Sequence, residues 1–180
     1  MKDTERFEFD VDFQWEILRF ILLERNGYKV LHLVQPGYFD LDYQRVIAHA
    51  IQKYFKRKQK VVPTSTLLKE ELRNLFNTKD YARSFTEKDR KTITTKVKRL
   101  FKSPPKDPEE IYNKCKTFAS YVQFKRTLED VDISNYSQYT QYLQKFQSAI
   151  NIGAELDEQP GTLLVSSSRM RIYDRHNRIN

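Results

Sequence analysis

The sequence predicts an all-α protein: a small helical bundle, a two-helix antiparallel hairpin and a flexible C-terminal linker. Two observations carry that prediction. Apolar residues recur three and four apart along most of the 180 residues, which is the period of one helix face, and only 4 glycines are present. The clearest interruption is "SPPKDPEE", whose prolines cannot continue a helix. It divides a bundle at 1–103 from a hairpin at 104–153, with a tail at 154–180.

Each element has its own signal. Asp12 is placed to cap a first helix in which Phe13, Ile17, Phe20 and Ile21 share a side, and "RNGY" ends it. A short apolar run, "KVLHLV", leads to the breaker "QPG". Asp40 is expected to cap a helix from about residue 41 to 56, with Val46, Ile47, Ala50, Ile51, Tyr54 and Phe55 as its apolar stripe. Pro63 pushes Val62 towards an extended backbone, and Thr64, Ser65 or Thr66 can cap the next helix, "TLLKEELRNLF". That helix is expected to bury Leu67, Leu68, Leu72, Leu75 and Phe76 and to turn Lys69, Glu70, Glu71 and Arg73 outward.

Thr86, with Asp89 three residues on, resembles a capping box for "SFTEKDRKTITTKVKRLF", a helix with a narrow stripe of Ile93, Val97, Leu100 and Phe101. Asp107 as cap and Pro108 at the first helical position then open a long helix to about residue 130, with Ile111, Cys115, Phe118 and Val122 on one face. After "DVDISNYS" a second helix repeats the spacing with Tyr139, Leu143, Phe146 and Ile150. A short turn between two such helices makes them antiparallel. Tyr121, Phe124, Leu128 and Val131 form a second apolar set on the first of them, and Tyr136, Tyr142 and Ala149 extend the face of the second. Two helices cannot cover both sets. The surplus packs either onto the preceding bundle or onto the hairpin of another chain. Past Gly153, an acidic patch, a Pro-Gly breaker, a serine run and Arg169, Arg171, Arg175 and Arg178 read as a linker, or as a tail that orders on a partner.

A formal charge of +8 favours an anionic partner. The densest basic region holds Lys88, Arg90, Lys91, Lys96, Lys98, Arg99 and Lys102, the residue types that contact phosphate backbones or acidic partners. A solvated helix face has the same composition. Chemistry finds less support. There is no GxxxxGK[ST] phosphate loop, no GxSxG serine and no metal-ligand spacing among His32, His49 and His176. Cys115 stands alone, which excludes an internal disulfide framework. Asp40 and His49 are the one pairing that invites catalysis, and they separate into a cap and a residue well around the helix from Val46 and Ala50. No catalytic, cofactor or metal residue is expected. No run approaches the roughly 18 apolar residues of a membrane span, and the acidic start lacks the features of a signal peptide, so a cytoplasmic location is expected.

The run from Ile17 to Leu72 resembles the N-terminal domain of replicative DNA helicases of the DnaB type, in a divergent, bacteriophage-like form. The matching pieces are Tyr38 and Phe39, then Tyr43, Gln44, Val46, Ile47, Ala50 and Ile51, then Val62, Leu67, Leu68 and Leu72. "EEIYNKCKTFASYVQFKRTLEDV" and "YTQYLQKFQSAI" look like that family's helical hairpin, and residues 77–107 are longer and more basic than its pattern. The resemblance implies a non-catalytic collar domain that pairs through its hairpins, using Ile111, Phe118, Val122, Tyr139, Leu143, Phe146 and Ile150. Such domains form a dimer or, in the full-length protein, a hexamer whose centre admits single-stranded DNA and whose surface meets primase and a helicase loader. ATP and Mg would belong to an ATPase domain outside this chain. The alternative is a small basic DNA-binding or helicase-loader-like accessory protein.

Overall fold

A computed structural model describes residues 9–58 and 61–152, and the expected linker at 154–180, with its arginines, lies outside them. The chain is all-helical, with eight α-helices and no strand among the described residues. The first, α1 (Val11–Leu23), begins at Asp10, whose carboxylate accepts from the Phe13 amide at 2.8 Å. The cap is therefore Asp10 rather than Asp12. Asp10 has the extended backbone a cap requires, while Asp12 already lies in the first turn, where a negative charge suits the helix dipole.

Helix α2 (Gly27–Leu33) takes in the "KVLHLV" run as far as Leu33. Its first residue is pressed against the end of α1: a Cβ on Gly27 would lie 2.5 Å from the Ile21 carbonyl oxygen and 2.6 Å from that of Phe20. A single 3-10 turn, Pro36–Tyr38, then delivers the chain to α3 (Asp42–Arg57). Asp40 does not cap α3. The residue at the cap position is Leu41, whose amide donates to Gln44 Oε1 at 3.3 Å. Asp40 instead pairs with Gln14: its amide donates to Gln14 Oε1 at 2.8 Å, and Gln14 Nε2 donates to its carboxylate at 2.6 Å. Gln44 Nε2 also donates to the Val11 carbonyl at 3.1 Å. Two buried amide side chains thus tie the start of α3 to the start of α1.

Thr64 caps α4 (Ser65–Phe76). Its buried stripe is Leu68, Glu71, Leu72, Leu75 and Phe76, which differs twice from the expectation. Leu67 is partly exposed, and Glu71 faces inward with its side chain 1% exposed. Residues 68, 71, 72 and 75 share one helix face, so the position requires burial, and Arg57 at 2.6 Å with Lys53 at 3.7 Å supplies the opposite charge. The connector that follows contains one short helix, α5 (Lys79–Ala82). The capping box of α6 (Glu87–Leu100) is present: Asp89 N donates to Thr86 Oγ1 at 3.3 Å, and Thr86 N donates to Asp89 Oδ2 at 2.9 Å.

Pro108 is the first residue of α7 (Pro108–Glu129), as expected. Asp107 occupies the cap position in the left-handed region, φ 48°, and its side chain makes no capping bond. The last helix, α8 (Tyr139–Ile150), runs antiparallel to α7, since residue 130 meets 145 and residue 124 meets 146. One apolar cluster joins Ile17, Leu18 and Ile21 of α1, Val46, Ile47 and Ile51 of α3, Leu68 and Leu72 of α4, Ile93 and Val97 of α6, and Ile111, Cys115 and Phe118 of α7. It continues across the prolines at 104 and 105. Each such Leu, Ile or Phe stabilises the fold by about 1.5–3 kcal/mol, so α7 is held to the helices before it by the core itself.

Candidate assembly surface and basic face

α7 carries apolar residues on two sides, and the core takes only one of them. Ile111, Cys115 and Phe118 are buried, and Val122 is half-buried against the same cluster. The Phe118 ring lies 5.6 Å from Phe9, 6.2 Å from Phe13 and 6.3 Å from Phe39. Ile111 and Phe118, expected at a self-association surface, are thus committed inside the chain, and Val122, expected there too, is partly covered by the same core. Burial pushes the Cys115 thiol up to about 12, so it is a protonated core residue.

The other side of α7 is open. Tyr121, Phe124 and Leu128 are exposed, Leu128 by 55%. α8 turns Tyr142 and Ala149 inward and leaves Tyr139, Leu143 and Ile150 outside, the last two 69% and 66% exposed. Phe146 is half-buried and joins the two helices through Phe124, at a ring separation of 4.8 Å. An apolar strip therefore runs from Phe124 and Leu128 across Phe146 to Tyr139, Leu143 and Ile150. Beyond it, at the hairpin turn, Ile133 and Tyr136 are also exposed, and the Tyr136 ring lies 5.4 Å from that of Tyr139. Single exposed apolar residues are ordinary, whereas several together on one side of a hairpin make a candidate contact surface. Of the α8 residues expected at a self-association surface, Tyr139, Leu143 and Ile150 are exposed and Phe146 is half-buried. On α7 the exposed apolar residues beside them are Phe124 and Leu128, and their signal was the second apolar stripe of α7.

The basic region also divides. Lys88, Lys91, Lys98, Arg99 and Lys102 are exposed. Arg90 is not free: its guanidinium donates to the carbonyls of Phe76 at 3.4 Å and Ala82 at 3.2 Å, and lies 5.4 Å from the Phe76 ring centre. It fastens the end of α4 to the start of α6. The Lys96 ammonium sits 5.0 Å from the Trp15 ring centre and 5.7 Å from that of Tyr43, a cation held between aromatic rings. Arg90 and Lys96 therefore drop out of the free basic face.

Asp40 and His49 do not meet. His49 Nδ1 is 2.7 Å from the Tyr81 hydroxyl, and burial, reinforced by Lys53 and Lys56, lowers its pKa, while Asp40 is bonded to Gln14. Among the described residues no cluster of His, Cys, Asp and Glu could hold a metal ion, and no helix is long and apolar enough to cross a membrane. A groove of about 970 Å³ lies between the start of α1, the Pro36–Tyr38 turn and α7. Its two arginines are partnered within the chain: Arg126 donates to the Gly37 carbonyl and Arg45 Nε to that of Phe39 at 2.6 Å. No family model, curated protein or solved structure matches the chain.

Proposed function

We propose that this chain is a non-catalytic assembly domain: the N-terminal collar domain of a DnaB-type replicative helicase, pairing with a second copy through its hairpin. The observation that carries the reading is the exposed strip of Phe124, Leu128, Tyr139, Leu143 and Ile150, bridged by Phe146. A helical hairpin that has already covered one face of each helix, and still presents an apolar strip, is suited to meeting an identical hairpin in a four-helix arrangement. The order of helices and the Tyr38, Phe39, Val46, Ile47 pattern support the family. In that setting the domain works in a bacterial or phage-infected cytoplasm, and primase and a loader are its further partners. ATP and Mg act on the ATPase domain of the longer protein.

Two differently tagged copies of the chain, expressed together, test the pairing. The second copy is expected to co-purify with the first, and Leu143→Asp in either is expected to abolish this. Phe118→Asp is unsuited to the purpose, because Phe118 is buried and the variant would report on folding. A second reading, a small basic nucleic-acid-binding or loader-like accessory protein, draws on the exposed lysines of α6. It makes no use of the hairpin strip.

A further inference from the structure

The outer face of α6 is a ladder of cations. Lys88, Lys91, Lys98 and Arg99, with Lys102 in the turn beyond, lie opposite the buried Ile93, Val97 and Leu100. At about 1.5 Å of rise per residue, Lys88 to Arg99 covers about 17 Å. Lys91 reaches Glu87 only at 3.9 Å, with both side chains largely exposed, and among the described residues Lys98, Arg99 and Lys102 have no carboxylate within ion-pair distance. Like charges on successive turns repel, and a bound polyanion offsets that repulsion.

Two further observations say which polyanion fits. The residues between the cations are Thr92 and Thr95, whose hydroxyls already donate to the carbonyls of Lys88 and Lys91 at 3.0 Å each. The face thus has no aromatic or aliphatic anchor of the kind that protein interfaces are built around, and it is rich in lysine, which those interfaces lack. Interfaces with nucleic acid are instead polar and strongly positive. At the edge of the face, Trp15 and Tyr43 could stack bases, but Lys96 already lies over both rings. Stacking would have to displace it.

We infer that this face of α6 binds the phosphate backbone of nucleic acid, without reading base sequence and without preferring single strands. The inference goes beyond the assembly role and involves no hairpin residue, so either stands if the other fails. Lysine and arginine contacts to phosphate position a protein on its ligand but carry no sequence information.

Fluorescence anisotropy with the full chain tests it. The probes are two 20-base-pair duplexes of unrelated sequence and a 20-nucleotide single strand, at several salt concentrations. The two duplexes are expected to bind within about twofold of each other, the single strand no more tightly than either, and the log–log salt slope to fall by about 1 for each of Lys91→Gln, Lys98→Gln and Arg99→Gln. Lys125→Gln and Lys145→Gln on the hairpin are expected to leave the slope unchanged. Circular dichroism confirms that the α6 variants remain helical. A single-strand preference above about tenfold would show stacking and overturn the inference. So would a slope indifferent to the α6 variants, or an acidic protein that binds this face while neither duplex does.

Discussion

Gln14 and Asp40, 26 residues apart, hold each other in both directions: Asp40 N donates to Gln14 Oε1 at 2.8 Å and Gln14 Nε2 donates to the Asp40 carboxylate at 2.6 Å. The same Nε2 reaches the Phe9 carbonyl at 3.2 Å, so one buried side chain fixes the entry to α1 and the entry to α3. Gln14→Leu keeps the volume and removes all three bonds. It is expected to lower unfolding free energy by about 1–3 kcal/mol, measured by urea denaturation. A neutral result would mean that solvent replaces the bonds at no cost.

Gly27 should be intolerant of even one added carbon. The atoms a Cβ would meet are backbone carbonyls of α1, which cannot swing aside as a flexible side chain could. Gly27→Ala is expected to destabilise by about 1–3 kcal/mol through overpacking, although alanine is the better helix former. A stabilised variant would contradict the close approach of α1 and α2.

Arg57→Ala leaves the buried Glu71 carboxylate with only Lys53 at 3.7 Å. Because Arg57 is itself half-exposed, the expected loss is about 2 kcal/mol, below the roughly 3–5 kcal/mol of a wholly buried pair. Glu71→Leu together with Arg57→Ala is expected to recover most of it. Thermal melts of wild type and of these two variants decide the matter.

Two titrating groups give predictions with a definite sign. The Thr86 hydroxyl and amide bonded to Asp89 hold its carboxyl below the usual aspartate value, so the contribution is full above that value and is lost as pH falls through the depressed one. The melting-temperature advantage of wild type over Asp89→Asn should accordingly shrink on acidification below about pH 4. Cys115 shifts the other way, since burial favours its protonated form. A thiol reagent at about pH 8 should modify it at least about 100-fold more slowly in the native protein than in denaturant.

Much of the fold is legible in the residues, for identifiable reasons. Thr86 with Asp89, and Pro108 at a helix start, are local signals that depend on two or three neighbours, and both stand where expected. Asp10 against Asp12 was not legible, because both acids suit a helix start and only the backbone angle separates them. Glu71 was misplaced because its charge outweighed its position in the stripe, and the cations that neutralise it come from α3. α7 is the consequential case. With apolar residues on two sides, its sequence does not say which side the core takes, and that choice moved the candidate surface from Ile111 and Phe118 to Phe124 and Leu128. Lys96 and Arg90 were hidden in the same way, by aromatic and carbonyl partners distant in sequence.

Sedimentation equilibrium of wild type and Leu143→Asp, up to about 0.5 mM, tests the hairpin pairing most directly. The wild-type mass is expected to rise with concentration from 21.7 kDa towards twice that value, and Leu143→Asp to remain at 21.7 kDa with an unchanged circular dichroism spectrum. A wild-type chain that stays monomeric throughout, or a Leu143→Asp variant that associates as strongly, would contradict the assignment of this strip as a self-association surface.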